Sequence, residues 1–210
     1  MSTSTVRSNP PADDVDFYRA LLYALLVWGV AYAYTFARYA IFGLVSTDQA
    51  FLYLGNKSLG LTGVALFTLS FFVARRGRLP LAGQLGAIGS ALACVHVAAS
   101  LTLLAAGAFS KLHLVGGRLT TSAQLTLLAG ALAVGILCWQ QSRQAQANSY
   151  RVHLSILALV VAHVTALGWV GWLQPAGWHG GLPPISLLSA LIGVAGVALG
   201  LGLRGPEERQ

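Results

Sequence analysis

Acidic residues are scarce in this chain. There are six in 210 positions: Asp13, Asp14, Asp16, Asp48, Glu207 and Glu208. None falls inside a long apolar run, which argues against a proton pump or a cation-coupled carrier built on intramembrane carboxylates. Charge of either sign is thin, at 9% of residues against 56% hydrophobic. A soluble domain carries roughly a quarter charged residues, so the composition is that of a membrane protein. Cysteine is limited to Cys94 and Cys138. Two such residues inside apolar runs make neither a thiol metal motif nor an expected disulfide, and they read as small buried hydrophobes. A P-loop and a glycine fingerprint following a strand are also missing, so no flavin, nicotinamide or nucleotide domain is expected. Alternation of polar and apolar residues over short segments is missing too, which excludes a barrel.

What is there is a series of apolar stretches, each near the roughly 20 residues a span needs. They predict an all-α polytopic bundle of six transmembrane helices, at about Phe17–Leu44, Phe51–Ala74, Leu79–Phe109, Ser122–Gln140, Tyr150–Leu173 and Pro184–Leu203. This sets out three regions: a polar, disordered N-terminal tail over 1–16, a transmembrane domain over 17–204 and a short C-terminal tail over 205–210. The N-terminus has no short apolar segment with a small-residue cleavage site, so no cleaved leader is expected. The glycine-rich "GVAGVALGLGLRG" lies in the sixth span and reads as a close-packing helix face.

Lys and Arg are distributed unevenly. Arg7, Arg19, Arg75, Arg76, Arg78, Arg143, Arg151, Arg204 and Arg209 fall in the tails and the second and fourth loops; only Lys111 and Arg118 lie in the third. The positive-inside rule then puts both termini in the cytoplasm, with six spans. The net charge of +7 follows from that bias and is not a nucleic-acid signature.

Ionisable residues inside spans are functional candidates by default. Five qualify: Arg38, Lys57, His96, His153 and His163. With the predicted topology, the third and fifth spans run in the same direction. His96 lies roughly 25 Å along the third and His163 roughly 18 Å along the fifth, a difference that helix tilt covers. One imidazole from each helix is then placed to ligate one metal centre, and bis-histidine b-type haem between helices fits that pattern. Lys57 falls at a similar depth and Arg38 near the same end of the first span. Two cations without acidic partners suit the two propionates of a haem; the ordinary alternative is snorkelling to the interface. His153 stands two residues after Arg151, at the other end of the fifth span. A second haem there would need a histidine near Leu81 to Gly86, where none exists, so the ordinary alternative is an interfacial or hydrogen-bonded residue. His113 and His179 read as surface histidines. Trp169, Trp172 and Trp178 read as an interfacial aromatic belt.

"LGAIGSALACVHVAASL", with Leu85-Gly86 ahead of His96, "NSYRVHLSILALVVAHV" and "GNKSLGLTGVALFTLSFFVARR" together resemble the ferric-reductase-like transmembrane domain. The resemblance is greatest to the stand-alone haem subunits of the bacterial methionine-sulfoxide-reductase system, and it covers roughly Gly55 to Trp169. It implies a six-helix b-type cytochrome that carries electrons, with haem b held by His96 and His163 and with His153 matching the first histidine of the fifth span. The chain departs from that pattern in three places. The two fifth-span histidines are ten residues apart, where the family usually has about thirteen or fourteen; "ANSYR" replaces a tryptophan-rich lead-in; and the arginine pair lies further from Leu85-Gly86. At a spacing of ten the two imidazoles are about 80° apart around the helix, which favours one haem over two.

The expected function is therefore an electron-transfer subunit of a larger complex, exchanging electrons with a partner redox protein or quinone. Whether it is an enzyme in its own right is open. The alternatives are a non-catalytic membrane subunit, either structural or using its histidines to ligate another planar cofactor such as a chlorophyll magnesium, and, less favoured, a transporter.

Overall fold

The computed structural model describes residues 12–43, 47–109, 112–143 and 149–202. Among these the chain is all-helical, without strands, and six helices are long and apolar enough to cross a membrane. They are α1 (Ala12–Phe36), α2 (Thr47–Arg75), α3 (Leu79–Ala105), α4 (Thr121–Arg143), α5 (Ser149–Trp172) and α6 (Ile185–Leu201). α1 begins ahead of Phe17 and continues into a π-helical segment, Ala37–Ile41, that carries Arg38 and Tyr39. Residues 1–11, most of the predicted N-terminal tail, and the C-terminal tail over 205–210 lie outside the described residues. So does Lys111.

Local chemistry explains the breaks. α2 and α3 are separated by a tight turn in which Gly77 has φ +77°, a left-handed conformation that glycine adopts without a Cβ penalty. Pro80 then occupies the first turn of α3, where its missing N–H costs nothing. Two short 3₁₀ turns, Pro175–Gly177 and His179–Gly181, connect α5 to α6.

α2 is the centre of the bundle. Of its most apolar stretch, 56% is buried, against 17–33% for the other five helices. One face of α2 contributes Val64, Phe67 and Phe71 to a core with Ala133 and Leu137 of α4 and Ile156 and Leu157 of α5. Another contributes Leu66 and Val73 to a core with Ala20, Ala24, Leu81 and Leu85. The outer helices expose large apolar side chains all round, including Leu22, Leu25, Leu26, Val30, Leu128, Leu132 and Val170. Such a surface is at home only in lipid. There, helix association rests on close packing and hydrogen bonds instead of the hydrophobic effect.

Small residues supply that packing. Gly193, Gly196 and Gly200 of α6 are buried. A Cβ on Gly193 would come within 2.6 Å of Val161, and one on Gly200 within 2.8 Å of Leu154. The expected glycine face of the sixth span is thus the α5–α6 contact, shared with α2. Cys94 and Cys138, expected to be buried, are exposed on the outer surface of α3 and α4. Lipid accepts a thiol at little cost, so an apolar position in a span carries no information on burial.

Candidate functional site

α3 and α5 run in parallel, and their register follows from two observations. At one end the His153 ring faces Gly86 of α3, with Cε1 3.8 Å from where a Cβ would stand. Ten residues further along each helix stand His96 and His163, close enough to interact electrostatically. The two histidines expected to share a layer do so.

Each is held in the same way by the helix beside it. His96 projects from α3 onto α2, where its Nδ1 lies 2.9 Å from the backbone oxygen of Asn56. His163 projects from α5 onto α4, where its Nδ1 lies 2.8 Å from the backbone oxygen of Thr126. A carbonyl oxygen only accepts, so in both cases Nδ1 carries the proton and donates. In a neutral imidazole this leaves Nε2 with its lone pair. A backbone carbonyl on the far nitrogen is also the arrangement that fixes metal-ligating histidines in their tautomer and orientation. Packing is tight at both: the His96 ring lies against Gly60 and the His163 ring against Gly130.

The same layer contains the buried cations. Arg38 is 4% exposed, so it does not snorkel. Its Cζ lies 5.3 Å from the Tyr39 ring centroid. Lys57, next in sequence to Asn56 and partly buried, sits between two aromatic rings, with Nζ 4.9 Å from the centroid of Tyr39 and 4.6 Å from that of Tyr53. Cation–π contact of this kind compensates in part for a missing carboxylate. The π-helical segment builds this corner. Arg38 is the buried residue of this segment, and π-turns recur at functional sites.

Four buried side-chain atoms have no hydrogen-bond partner among the described residues: Arg38 Nε and Nη1, Asn56 Oδ1 and Thr126 Oγ1. Two belong to the residues whose carbonyls hold His96 and His163, and two to Arg38, which neighbours Tyr39. Leaving a buried polar atom unpaired costs about 1–3 kcal/mol, more for a charged group. Unpaired buried groups of this kind call for an explanation, and a polar ligand would supply one. The chemistry fits a bis-histidine haem: two neutral imidazole nitrogens for an iron, and two cations, one with free donors, for carboxylates. A group of three or more protein ligands for a metal is not found among the described residues, and a porphyrin, which supplies four nitrogens of its own, does not need one.

His153 stands apart. Its ring lies 5.9 Å from that of Phe67 and beside Gly86, towards the opposite end of α5 from His163. His179 is exposed in the α5–α6 connection, and its ring contacts Tyr39 at 6.4 Å. His113 bonds the Phe109 carbonyl in its own loop. Trp172 donates to Ser186 on α6, and Trp178 to the Gly171 carbonyl, so these two rings pin the α5–α6 connection. Residues that sequence reasoning did not single out are Asn56, Thr126, Gly60, Gly130, Tyr39 and Tyr53. The signal available for four of them was a polar residue followed at the fourth position by glycine, "NKSLG" and "TLLAG". No protein-family model, curated protein or solved structure matches this chain.

Proposed function

We propose that the protein is a b-type cytochrome-like membrane subunit in which His96 and His163 would hold one haem b. The observation that carries this reading is the matched pair of Nδ1–carbonyl bonds, which leaves two Nε2 lone pairs in one intramembrane layer. When bound, such a haem would supply one-electron redox chemistry. The chain contributes the rest. Asn56 and Thr126 fix the imidazoles through their carbonyls, and Arg38 and Lys57 offer positive charge to the carboxylates. The surrounding apolar helices keep the layer dry, which strengthens each of these interactions. His153 is outside this set.

In this reading both termini face the cytoplasm of a bacterial inner membrane, as the arginine-rich tails and loops favour, and the electrons come from or go to a partner redox protein or the quinone pool. The likeness to ferric-reductase-like haem subunits supports the same assignment.

A reduced-minus-oxidised spectrum of the purified protein tests it. A b-type α-band that is lost in His96→Ala and in His163→Ala is the expected result. A folded, colourless wild type that takes up no haemin sinks the proposal. A magnesium-pigment spectrum would instead favour the subunit that ligates another planar cofactor.

A further inference from the structure

The histidines are not the only side chains that reach the backbone of a neighbouring helix. Thr68 Oγ1 of α2 donates to the Ile192 carbonyl of α6 at 3.0 Å. Thr68 to Ile192, His96 to Asn56 and His163 to Thr126 are three bonds from a side chain to a mid-helix carbonyl of another helix. In all three the residue four positions after the acceptor is glycine: Gly196, Gly60 and Gly130.

Helix geometry gives the reason. Every Cα–Cβ bond tilts toward the N-terminus, so a side chain covers the turn that precedes it. The carbonyl of residue i, already accepting from the N–H of i+4, keeps a second lone pair on the outer side of the helix. The side chain of i+4 lies over it. Glycine at that position uncovers it. A Cβ on Gly60 would stand 2.9 Å from His96 Cε1, 3.1 Å from Nδ1 and 3.2 Å from Nε2. One on Gly130 would stand 3.2 Å from His163 Nδ1 and 3.5 Å from Cε1. One on Gly196 would overlap the Thr68 hydroxyl.

We propose that Gly60 and Gly130 are positioning residues for the two histidines: each bares the carbonyl that locks the facing imidazole as the Nδ1–H tautomer, with Nε2 presented as a metal ligand. Each of the hairpins α2–α3 and α4–α5 carries its own clasp, complete before any cofactor arrives. That the clasped nitrogens serve haem rests on the proposed function; the clasp does not.

The test uses the full-length apo-protein in lipid nanodiscs, with histidine ¹⁵N-labelled in the ring, at about pH 8, where an ordinary imidazole is neutral. Ring ¹⁵N shifts distinguish a protonated from a bare nitrogen, and His96→Ala and His163→Ala assign the signals. Both histidines are expected as Nδ1–H in the wild type. Gly60→Ala removes that signature from His96 and leaves His163 intact; Gly130→Ala does the reverse, and more weakly, because its Cβ meets a looser contact. Gly55→Ala and Gly135→Ala, on the same helices with nothing within 4 Å of the new methyl, leave both unchanged. Haemin titration in parallel should show binding weakened at least tenfold by Gly60→Ala and unchanged in the two controls.

Nε2–H tautomers in the wild type overturn the proposal whether or not the alanine variants fold. So does a folded Gly60→Ala and Gly130→Ala pair with wild-type ring signals. Nδ1–H on both histidines without haemin binding keeps the clasp and removes the haem reading. Haemin binding with Nε2–H tautomers does the opposite.

Discussion

His163 and His153 lie on one helix in one apolar stretch, and their surroundings differ. His163 meets a bared carbonyl on α4, a glycine that admits its ring and a second histidine at its level on α3. His153 meets the Phe67 ring and the backbone of Gly86. The level of α3 that faces His153 is thus filled by a residue with no side chain to ligate. A histidine in a span becomes a site through what the facing helices present, and at the level of His163 that is a second histidine and a carbonyl.

Substitutions can break this contrast, starting with the largest effect. His96→Ala or His163→Ala should each remove the whole b-type α-band, because one imidazole alone would not hold the same centre. A band that survives either change at full height would place the site elsewhere. Next is Arg38→Met, with two effects of opposite sign. It removes a buried cation with unpaired donors, so the apo-protein should melt at a higher temperature. It also removes charge-assisted bonds to carboxylates, worth about 1.5–3 kcal/mol, so haemin should bind roughly ten- to a hundredfold more weakly. Both effects moving in the same direction would detach Arg38 from the ligand.

Lys57→Met should act on potential more than on affinity. A nearby cation favours the reduced, less positive state, so its loss should lower the midpoint potential, on the order of 50 mV, in a redox titration. An unchanged potential would mean that its contacts with Tyr39 and Tyr53 are structural only. His153→Ala should keep the full α-band, and the loss of half of it would show that both ends of α5 hold haem. The smallest effect is expected from Cys94→Ser and Cys138→Ser. Both face outward, and their stability should stay within about 0.5 kcal/mol of wild type in thermal melts.

The spans were legible because each depends only on a local run of apolar residues, and their predicted limits agree with the helices to within a few positions. The common depth of His96 and His163 was legible for a related reason: rise per residue is constant, so counting from the basic loops places both. The burial of Arg38 was not legible. By its position near a span end it reads as a snorkelling side chain as well as a partner for a carboxylate, and its burial depends on how the segment after α1 packs. Asn56 and Thr126 were invisible as well, because it is their backbone oxygens that act, and any residue has one. Their glycine partners carry a trace in sequence, but a spacing of four between a polar residue and glycine is common and gains meaning only when a histidine is seen opposite.

The sequence by itself determined that this chain crosses a membrane six times and carries almost nothing ionisable inside. It also determined that its few buried imidazoles and cations are where chemistry has to be sought, since in hydrocarbon each polar group must be accounted for. Only the tertiary structure decided which of them belong together. Pairing depends on which helix faces which and in what register. That is set by glycines at the α5–α6 contact, by the Gly77 turn and by the central position of α2, through packing between residues far apart in the chain.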